Sequence, residues 1–331
     1  MDYVIYNRKK YEVTDGLLDL SDLGIININN IDGLEHLTNL RILDLSFNEI
    51  KDIKPLEKLE DIEIIDLSFN LVIDIDGIAF PDNLEQLILT NNKISDINEL
   101  ISLNHLRHLD LSNNKLNSIP KLTNLNSLEV LHLEENSISE LKGLGEIKSL
   151  IKFYISGNKV SKLDYIEELA KLKILDLNGN RIEIIENIDE LYRLEALNLS
   201  NNIIHKISGL EEMIKLMLLN LSKNKINNIE GLQELEDLNI LNLSKNNITK
   251  VERLESLENL INLDLSNNQI TEFHSIPSLK NLRIINLNNN NNLEILDGLN
   301  ILPNLEVIYL KNTKIPEKEL LDLRKKYRIY Y

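Results

Sequence analysis

The sequence contains no cysteine and no tryptophan. Because cysteine is absent, disulfide bonds contribute nothing to stability, and a secreted form with cystine-rich caps is disfavoured. The first ten residues, MDYVIYNRKK, lack the apolar core of a signal peptide, and no apolar run approaches the length that spans a membrane. These absences together predict a cytoplasmic protein.

Positive charge is scarce relative to negative charge. The chain has 36 Lys and Arg residues against 53 Asp and Glu residues, which gives a formal net charge of -17 at pH 7. A surface of this sign repels nucleic acids and anionic membranes. We therefore expect neither of them as a partner.

What the sequence has in abundance is a repeat. The stretch LDLSNN, which ends at Asn114, recurs in close copies along nearly the whole chain, and the asparagine that ends each copy returns every 22 residues. A fixed period of this kind is typical of stacked-repeat architectures. These asparagines are Asn48, Asn70, Asn92, Asn114, Asn136, Asn158, Asn180, Asn202, Asn224, Asn246, Asn268 and Asn290.

Each repeat is predicted to contain a strand, a bend and a return. Leu43 and Leu45 lie two residues apart and point to one side of a strand, whereas Asp44 points to the other side. After Asn48 the apolar spacing becomes three, which favours a turn and a short helical or 3₁₀ segment. The asparagine amide has enough donors and acceptors to bridge backbone groups of its own and the next repeat. One repeat cannot bury its apolar side alone, so neighbouring repeats must stack.

The pattern LxxLxLxxNxI in a 22-residue unit resembles the leucine-rich repeat family from about Leu17 to Ile315. Short-repeat members include the leucine-rich-repeat regulatory subunit of protein phosphatase 1 and the bacterial internalins. The resemblance implies an α/β solenoid, which is a right-handed superhelix with parallel strands on a concave face and short 3₁₀ or helical turns on a convex face. It also implies a protein-binding role. At one strand per repeat, we expect about 13 parallel strands.

Distinct sequences at the two ends predict caps. The segments YVIY and YEV flank a polar turn and predict a β-hairpin that shields the first repeat. Pro316 suits the first turn of a helix, in which Leu320, Leu323 and Tyr327 share one face, and a last strand is expected around Ile329. The capping motif of the phosphatase regulators is not apparent there. We predict one continuous domain with an N-terminal hairpin cap at 1–16, a repeat array at 17–315 and a helical cap at 316–331.

Departures from the repeat consensus predict the partner-binding site. The outward residue before the last strand leucine is mostly Asp or Asn, but it is Ile88, His132 or Tyr154 in the middle repeats. A repeat protein needs only its core columns to fold, so these departures indicate function, with random surface drift as the alternative. Neighbouring strands lie roughly 4.8 Å apart, so the side chains should form one row. The candidates here are Ile88, His108, Asp110, His132, Glu134, Lys152 and Tyr154.

Two further features of the strands and bends each have two interpretations. Phe47 and Phe69 precede the repeated asparagine in adjacent repeats, where they either anchor a partner or pack over the bend. An apolar column two residues before the Asp/Asn position is either an exposed ledge or strand-favouring filler. The outward positions of the first half are mostly acidic, so we expect the protein partner to present a basic surface. The apolar column consists of Ile42, Ile64, Val130, Ile174, Ala196, Leu218, Ile240, Ile284 and Val307.

His108 and His132 are the two histidines that fall on the predicted concave strand face. With Asp110 and Glu134 nearby, a metal site is one interpretation. The other is ordinary exposed histidine in an acidic chain, and we predict no metal. His132 beside Asp110 should favour the imidazolium form, so partner binding should depend on pH between about 6 and 8.

Nothing in the sequence indicates catalysis. No glycine-rich phosphate loop is present, and the recurring serine of LSxN is a repeat position rather than a nucleophile with a positioned base. We predict a monomeric, non-enzymatic scaffold without a cofactor, which binds a protein partner on its concave face. A regulatory subunit of a phosphatase or another signalling enzyme is the alternative. An adhesin would need an export signal, and a GTPase-activating protein would need longer repeats and a catalytic loop.

Overall fold

The computed structural model describes residues 2–97, 100, 103–122 and 124–331. The chain forms two compact units, one up to Lys159 and the other from Val160 onward. Within the described ranges, no helix is both long enough and apolar enough to cross a membrane.

The first unit begins with the predicted antiparallel hairpin of β1 (Tyr3–Tyr6) and β2 (Lys9–Glu12). Ile5 exchanges two backbone hydrogen bonds with Asp32, of 3.0 and 2.9 Å, and these attach the hairpin to the first repeat. Seven parallel strands follow, each paired with the next. They are β3 (Leu17–Asp19), β4 (Ile42–Asp44), β5 (Ile64–Asp66), β6 (Gln86–Ile88), β7 (His108–Asp110), β8 (Val130–His132) and β9 (Lys152–Tyr154). Its 3₁₀ turns are Ile28–Asn30, Leu34–His36, Lys54–Lys58 and Leu144–Glu146.

The second unit has eight parallel strands in its main sheet. They are β10 (Ile174–Asp176), β11 (Ala196–Asn198), β12 (Leu218–Asn220), β13 (Ile240–Asn242), β14 (Asn262–Asp264), β16 (Ile284–Asn286), β18 (Val307–Tyr309) and β19 (Arg328–Tyr330). The sequence did not predict the separate parallel pair of β15 (Glu272–His274) and β17 (Ile295–Asp297). A 3₁₀ turn covers Leu299–Ile301, and α1 spans Glu317–Leu323 directly after Pro316.

Both units confirm the predicted stack of parallel strands with few helices. The main sheet has seven strands in the first unit and eight in the second, which makes 15 where 13 were expected. One of the two additional strands is β19. This strand contains Ile329 and pairs with β18, as predicted. Where the array ends, the Thr313 hydroxyl donates to the Leu310 carbonyl at 2.8 Å and so takes the place of the repeated asparagine.

The middle residue of each strand points into the core and its two neighbours point outward. In β7, Leu109 is fully buried, whereas His108 and Asp110 are half-buried on the other side. The leucine after each strand, such as Leu111, is also fully buried. Stacked columns of this kind are what a single repeat needs to cover its apolar side.

The repeated asparagine ties each bend to the repeat before it. The Asn70 amide donates to the carbonyls of Leu45 at 2.9 Å and Leu67 at 3.1 Å, and its Oδ1 accepts from the Ile50 N–H at 2.9 Å. Leu45 and Ile50 belong to the preceding repeat. The expected bridge between repeats is therefore present, but it runs backward along the chain, whereas the prediction had it run to the next repeat.

Candidate functional site

The candidate site lies on the outward side of the strands in the first unit, which we call the strand face. It consists of the first and third residues of β4 to β9. Parallel pairing in register places Ile88 beside Asp110, Asp110 beside His132, and His132 beside Tyr154. The predicted row is thus one continuous line of side chains across β6, β7, β8 and β9.

Three aromatic rings stack along this part of the strand face, and we call them the ring row. The rings of His132 and Tyr154 lie 4.4 Å apart between centroids and only 8° from parallel. His108, at the first position of β7, stacks on the other side of His132 at 5.2 Å and 21°. Because the rings pack face to face, each restricts the rotamers that its neighbour can adopt.

Glu134 is the direct partner of His132. The His132 Nδ1 lies 2.9 Å from Glu134 Oε1, so Nδ1 donates to this carboxylate. Burial alone would lower the pKa of His132. The hydrogen bond from Glu134 and the charges of Glu134 and Asp110 outweigh burial and the opposing charge of Lys152, so this pKa is raised above its ordinary value of 6.5. The predicted direction is right, but Asp110 is only the secondary cause.

The pKa of His108 is shifted in the opposite direction. Burial and the charge of the neighbouring His132 hold the pKa of His108 below 6.5, against the attraction of Asp110 and Glu134. The second oxygen of Glu134, Oε2, is buried, and no hydrogen-bond partner for it lies among the described residues. A buried carboxylate oxygen without a donor is unfavourable.

The remaining predicted residue of these repeats is Lys152, which lies exposed at the start of β9. Its charge acts on both histidines of the ring row. Over the part of the chain that the structure describes, no group of three or more His, Asp or Glu side chains is arranged to hold a metal ion.

Phe47 and Phe69 form a second feature, in the repeats of β4 and β5. Their rings stack on each other with centroids 4.3 Å apart and 8° between their planes. The side chains remain 54% and 44% exposed, so neither ring is buried in the bend. The two rings pack on each other and each keeps an exposed part, and their role as an anchor for a partner remains a prediction.

The apolar column of the strand face behaves mainly as filler. Its members are half-buried between neighbouring strands, and Ile240 is the member that is exposed, at 40%. A continuous exposed ledge is therefore not formed.

One aromatic pair of the second unit was missed by the sequence reasoning. Tyr309 and Tyr330 stack at 4.8 Å because β18 and β19 pair in register. An alignment of RIY at the C-terminus with VIY of the preceding strand would have identified it.

Two arginines that directly precede strands of the first unit are already engaged by acidic residues. Arg41 binds Glu63 through two nitrogens at 2.8 and 2.6 Å, and Arg107 binds Glu129 at 2.7 Å. By contrast, no ion pair among the described residues involves Asp19, Asp44 or Asp66, which lie side by side in β3, β4 and β5. The negative charge of these three carboxylates therefore remains uncompensated.

Comparisons with known proteins agree with this architecture. A two-copy model of leucine-rich repeats matches residues 38–80, 104–146, 148–190 and 170–212. Two further family models, both described as leucine-rich repeat, match residues 60–116 and 259–280. No curated protein matches the sequence.

Solved structures with the same arrangement include bacterial repeat proteins. An internalin (inlF) from Listeria monocytogenes is 25% identical with a TM-score of 0.75, and the match covers 95% of this chain and 86% of that one. A leucine-rich repeat protein from Leptospira interrogans is 27% identical with a TM-score of 0.72, and covers 95% of both chains. The functional domain of InlJ from Listeria monocytogenes is 22% identical with a TM-score of 0.68, over 91% and 64%. That domain includes a cysteine ladder, for which this cysteine-free chain has no counterpart.

Proposed function

Because the chain belongs to the leucine-rich repeat family, we propose that it is a non-enzymatic scaffold that binds a partner protein through the strand face of its first unit. Proteins of this family generally act in protein–protein interaction. The ring row of His108, His132 and Tyr154 carries the proposal for where the partner binds. Two of its rings, His132 and Tyr154, stand in a column that holds Asp or Asn in most other repeats, and His108 stacks on His132 from the first position of β7.

The ring row has the physical properties of an interface hot spot. Stacked rings bury a large area while few rotamers remain to be frozen on binding. Ile88 extends the row with an apolar side chain, and Glu134 Oε2 offers a buried acceptor without a donor. A partner that packs against the rings covers the part of each ring that the folded chain leaves accessible.

Charge defines the kind of partner. On the strand face, Asp44, Asp66 and Asp110 lie in β4, β5 and β7, while Arg41 and Arg107, just before β4 and β7, are each paired with a glutamate. Electrostatic complementarity favours a basic protein surface and speeds its encounter. A regulatory subunit of a phosphatase or another signalling enzyme is the more specific form of this proposal.

The test begins with recovery of the partner by affinity purification of the full chain from its native cell, followed by mass spectrometry. The affinity of the purified partner is then measured for the parent and for Tyr154→Ala and His132→Ala. We expect each substitution to weaken binding by about tenfold or more, as hot-spot residues do. A partner with enzymatic activity is also assayed with and without the scaffold, which distinguishes regulation from scaffolding.

Tyr309→Ala is the matched control, because Tyr309 occupies the same outward strand position in the second unit and also stacks on another ring. It should bind the partner like the parent protein. If Tyr154→Ala and His132→Ala bind like the parent while Leu218→Ala does not, the binding site lies elsewhere.

A further inference from the structure

The position before each repeated asparagine has a backbone conformation that disfavours bulky side chains. Its φ angle is positive in consecutive repeats, at 55° for Phe47, 54° for Phe69 and 56° for Asn91, and it is also 54° at Asp22, which is followed by Leu23. Asp, Asn and Gly tolerate this left-handed region, whereas a bulky aromatic residue there is an outlier. The backbone conformation at these two positions therefore does not by itself favour phenylalanine.

The two rings continue a column that begins with a carboxylate. The backbone N–H of Asp22 donates to the Ser46 carbonyl at 3.0 Å, and that of Phe47 donates to Ser68 at 2.9 Å. Asp22 therefore occupies the same turn position as Phe47, one repeat earlier. An exposed acidic side chain stands next in line to an exposed aromatic stack.

A second line of carboxylates runs parallel to this column, three residues before each of its members. Asp19, Asp44 and Asp66 pair side by side on β3, β4 and β5. Asp44 and Asp66 each use Oδ1 to accept the N–H of the serine two residues later, at 2.9 and 2.8 Å. The ion pair of Arg41 with Glu63 leaves these charges uncompensated.

We propose that Phe47 and Phe69 form a docking site for arginine side chains in a basic segment of the partner protein. The proposal rests on the scaffold function and adds to it the class of side chain that is recognised. A guanidinium group stacks flat on an aromatic ring and forms paired hydrogen bonds with carboxylates. Lysine carries the same charge but lacks the flat stacking surface. A membrane is disfavoured as the occupant, because these carboxylates repel anionic headgroups.

The test uses two fluorescent peptides, one in which arginine alternates with glycine and one in which lysine replaces arginine. Fluorescence anisotropy gives the affinity of the full chain for each peptide, at the same ionic strength. We expect the arginine peptide to bind roughly fivefold more tightly, as a pair of exposed cation–π contacts would give. Equal affinities for the two peptides overturn the proposal.

The double variant Phe47→Asn/Phe69→Asn should lose the preference for arginine. Asparagine is the residue that this turn position holds in Asn91 and Asn113, so the variant should melt at or above the temperature of the parent protein. Tyr165→Asn is the matched control. Tyr165 is 46% exposed and has a φ of 67°, but it lies in the second unit, so its replacement should leave both affinities unchanged.

A charge variant tests the second element of the site. Asp44→Asn/Asp66→Asn should weaken both peptides equally and reduce the dependence of binding on salt. The bends should remain intact, because Asn242 in the second unit accepts the N–H of Ser244 in the same way, at 3.0 Å.

The outcomes separate this proposal from the proposed scaffold function. If Phe47→Asn/Phe69→Asn keeps the preference for the arginine peptide, the proposed arginine site is wrong. It is also wrong if the parent binds neutral lipid vesicles and this variant binds them less well, because the rings would then contact a membrane. The scaffold proposal then still stands or falls with Tyr154→Ala. If the arginine preference disappears in the double variant alone, the site is supported, whatever the result at the ring row.

Discussion

At the scale of single residues, two neighbouring asparagines perform different tasks in the same bend. Asn202 is 7% exposed and bonds to the carbonyls of Leu177 and Leu199 at 3.0 and 3.1 Å. Asn201, next to it, is exposed and has a φ of 56°. The first is retained for its amide hydrogen bonds and the second for its tolerance of the left-handed region. The residue type alone therefore does not show what an asparagine contributes.

The hydrogen bonds of the buried asparagine give a prediction about stability. Asn158 donates to the carbonyls of Leu133 at 2.9 Å and Ile155 at 3.2 Å, and accepts from the Ile138 N–H at 2.9 Å. Asn158→Ala leaves these backbone groups unpaired, so unfolding free energy should fall by roughly 1–3 kcal/mol. Urea denaturation followed by circular dichroism measures this difference.

Asn201→Gly is the control, because glycine adopts positive φ without strain and no side-chain hydrogen bond of a repeated asparagine is lost. Its unfolding free energy should stay within about 0.5 kcal/mol of the parent value. Alanine would be a poor control at this position, since it would add backbone strain. If both variants lose the same amount of unfolding free energy, the buried repeated asparagine and the exposed asparagine before it do not have different roles.

The column of repeated asparagines could be predicted from the sequence because its period is strict, whereas the contacts made at each site could not. The 22-residue spacing fixes which residues are buried, and Leu43, Leu109 and Phe153 all lie in the core as the pattern requires. The choice of Glu134 over Asp110 as the partner of His132 depends on side-chain rotamers. Glu134 lies two residues after His132, whereas Asp110 lies beside it on the neighbouring strand. Which of the two carboxylates bonds to the ring is set by packing, which the spacing of residues does not encode.

At the scale of secondary-structure elements, the register of the strands assembles the site. His108, His132 and Tyr154 lie on three different strands and meet only because β7, β8 and β9 pair without a shift. A slip by one residue would turn these rings toward the core and the leucines toward solvent. The pair of β15 and β17 was missed because the apolar spacing of three around Phe273 and Leu296 favours a turn or a short helical segment rather than a strand.

The stacked histidines predict opposite titrations. His132 should titrate above pH 6.5 and His108 below it, because Glu134 bonds to the first and burial beside a second imidazole disfavours charge on the other. The raised pKa of His132 stabilises the folded chain below the unfolded pKa, and this contribution is lost as pH rises through the folded pKa. Nuclear magnetic resonance titration of the two imidazole rings measures both values.

Glu134→Gln provides the control for this prediction. The variant keeps an acceptor for His132 but removes the charge, so the pKa of His132 should fall. Asp110 and Lys152 remain in place, and their effects on the two rings should persist. If His132 titrates at the same pH in the parent and the variant, Glu134 is not the cause of the raised pKa.

At the scale of the whole molecule, a stacked array needs an end at which the apolar columns stop. In the first unit the hairpin bonds to the first repeat through Ile5 and Asp32. In the second unit, Pro316–Tyr331 add α1 and β19 after the last repeat. An uncovered strand edge of a stacked array offers unpaired backbone groups and apolar side chains to another chain. The domain boundaries predicted from the sequence remain predictions, as does the capping role of both segments.

Removal of Pro316–Tyr331 tests the C-terminal cap. The deletion strips β19 from β18 and removes Tyr327, whose hydroxyl donates to the Leu299 carbonyl at 2.9 Å. It should lower the melting temperature and produce oligomers that light scattering detects, because the edge of β18 and Ile308 beneath it lose their cover. Leu321→Ser serves as the control, since this α1 side chain is 50% exposed and should change neither property. A truncated chain with the mass of a monomer and the parent melting temperature would show that the segment is not a cap.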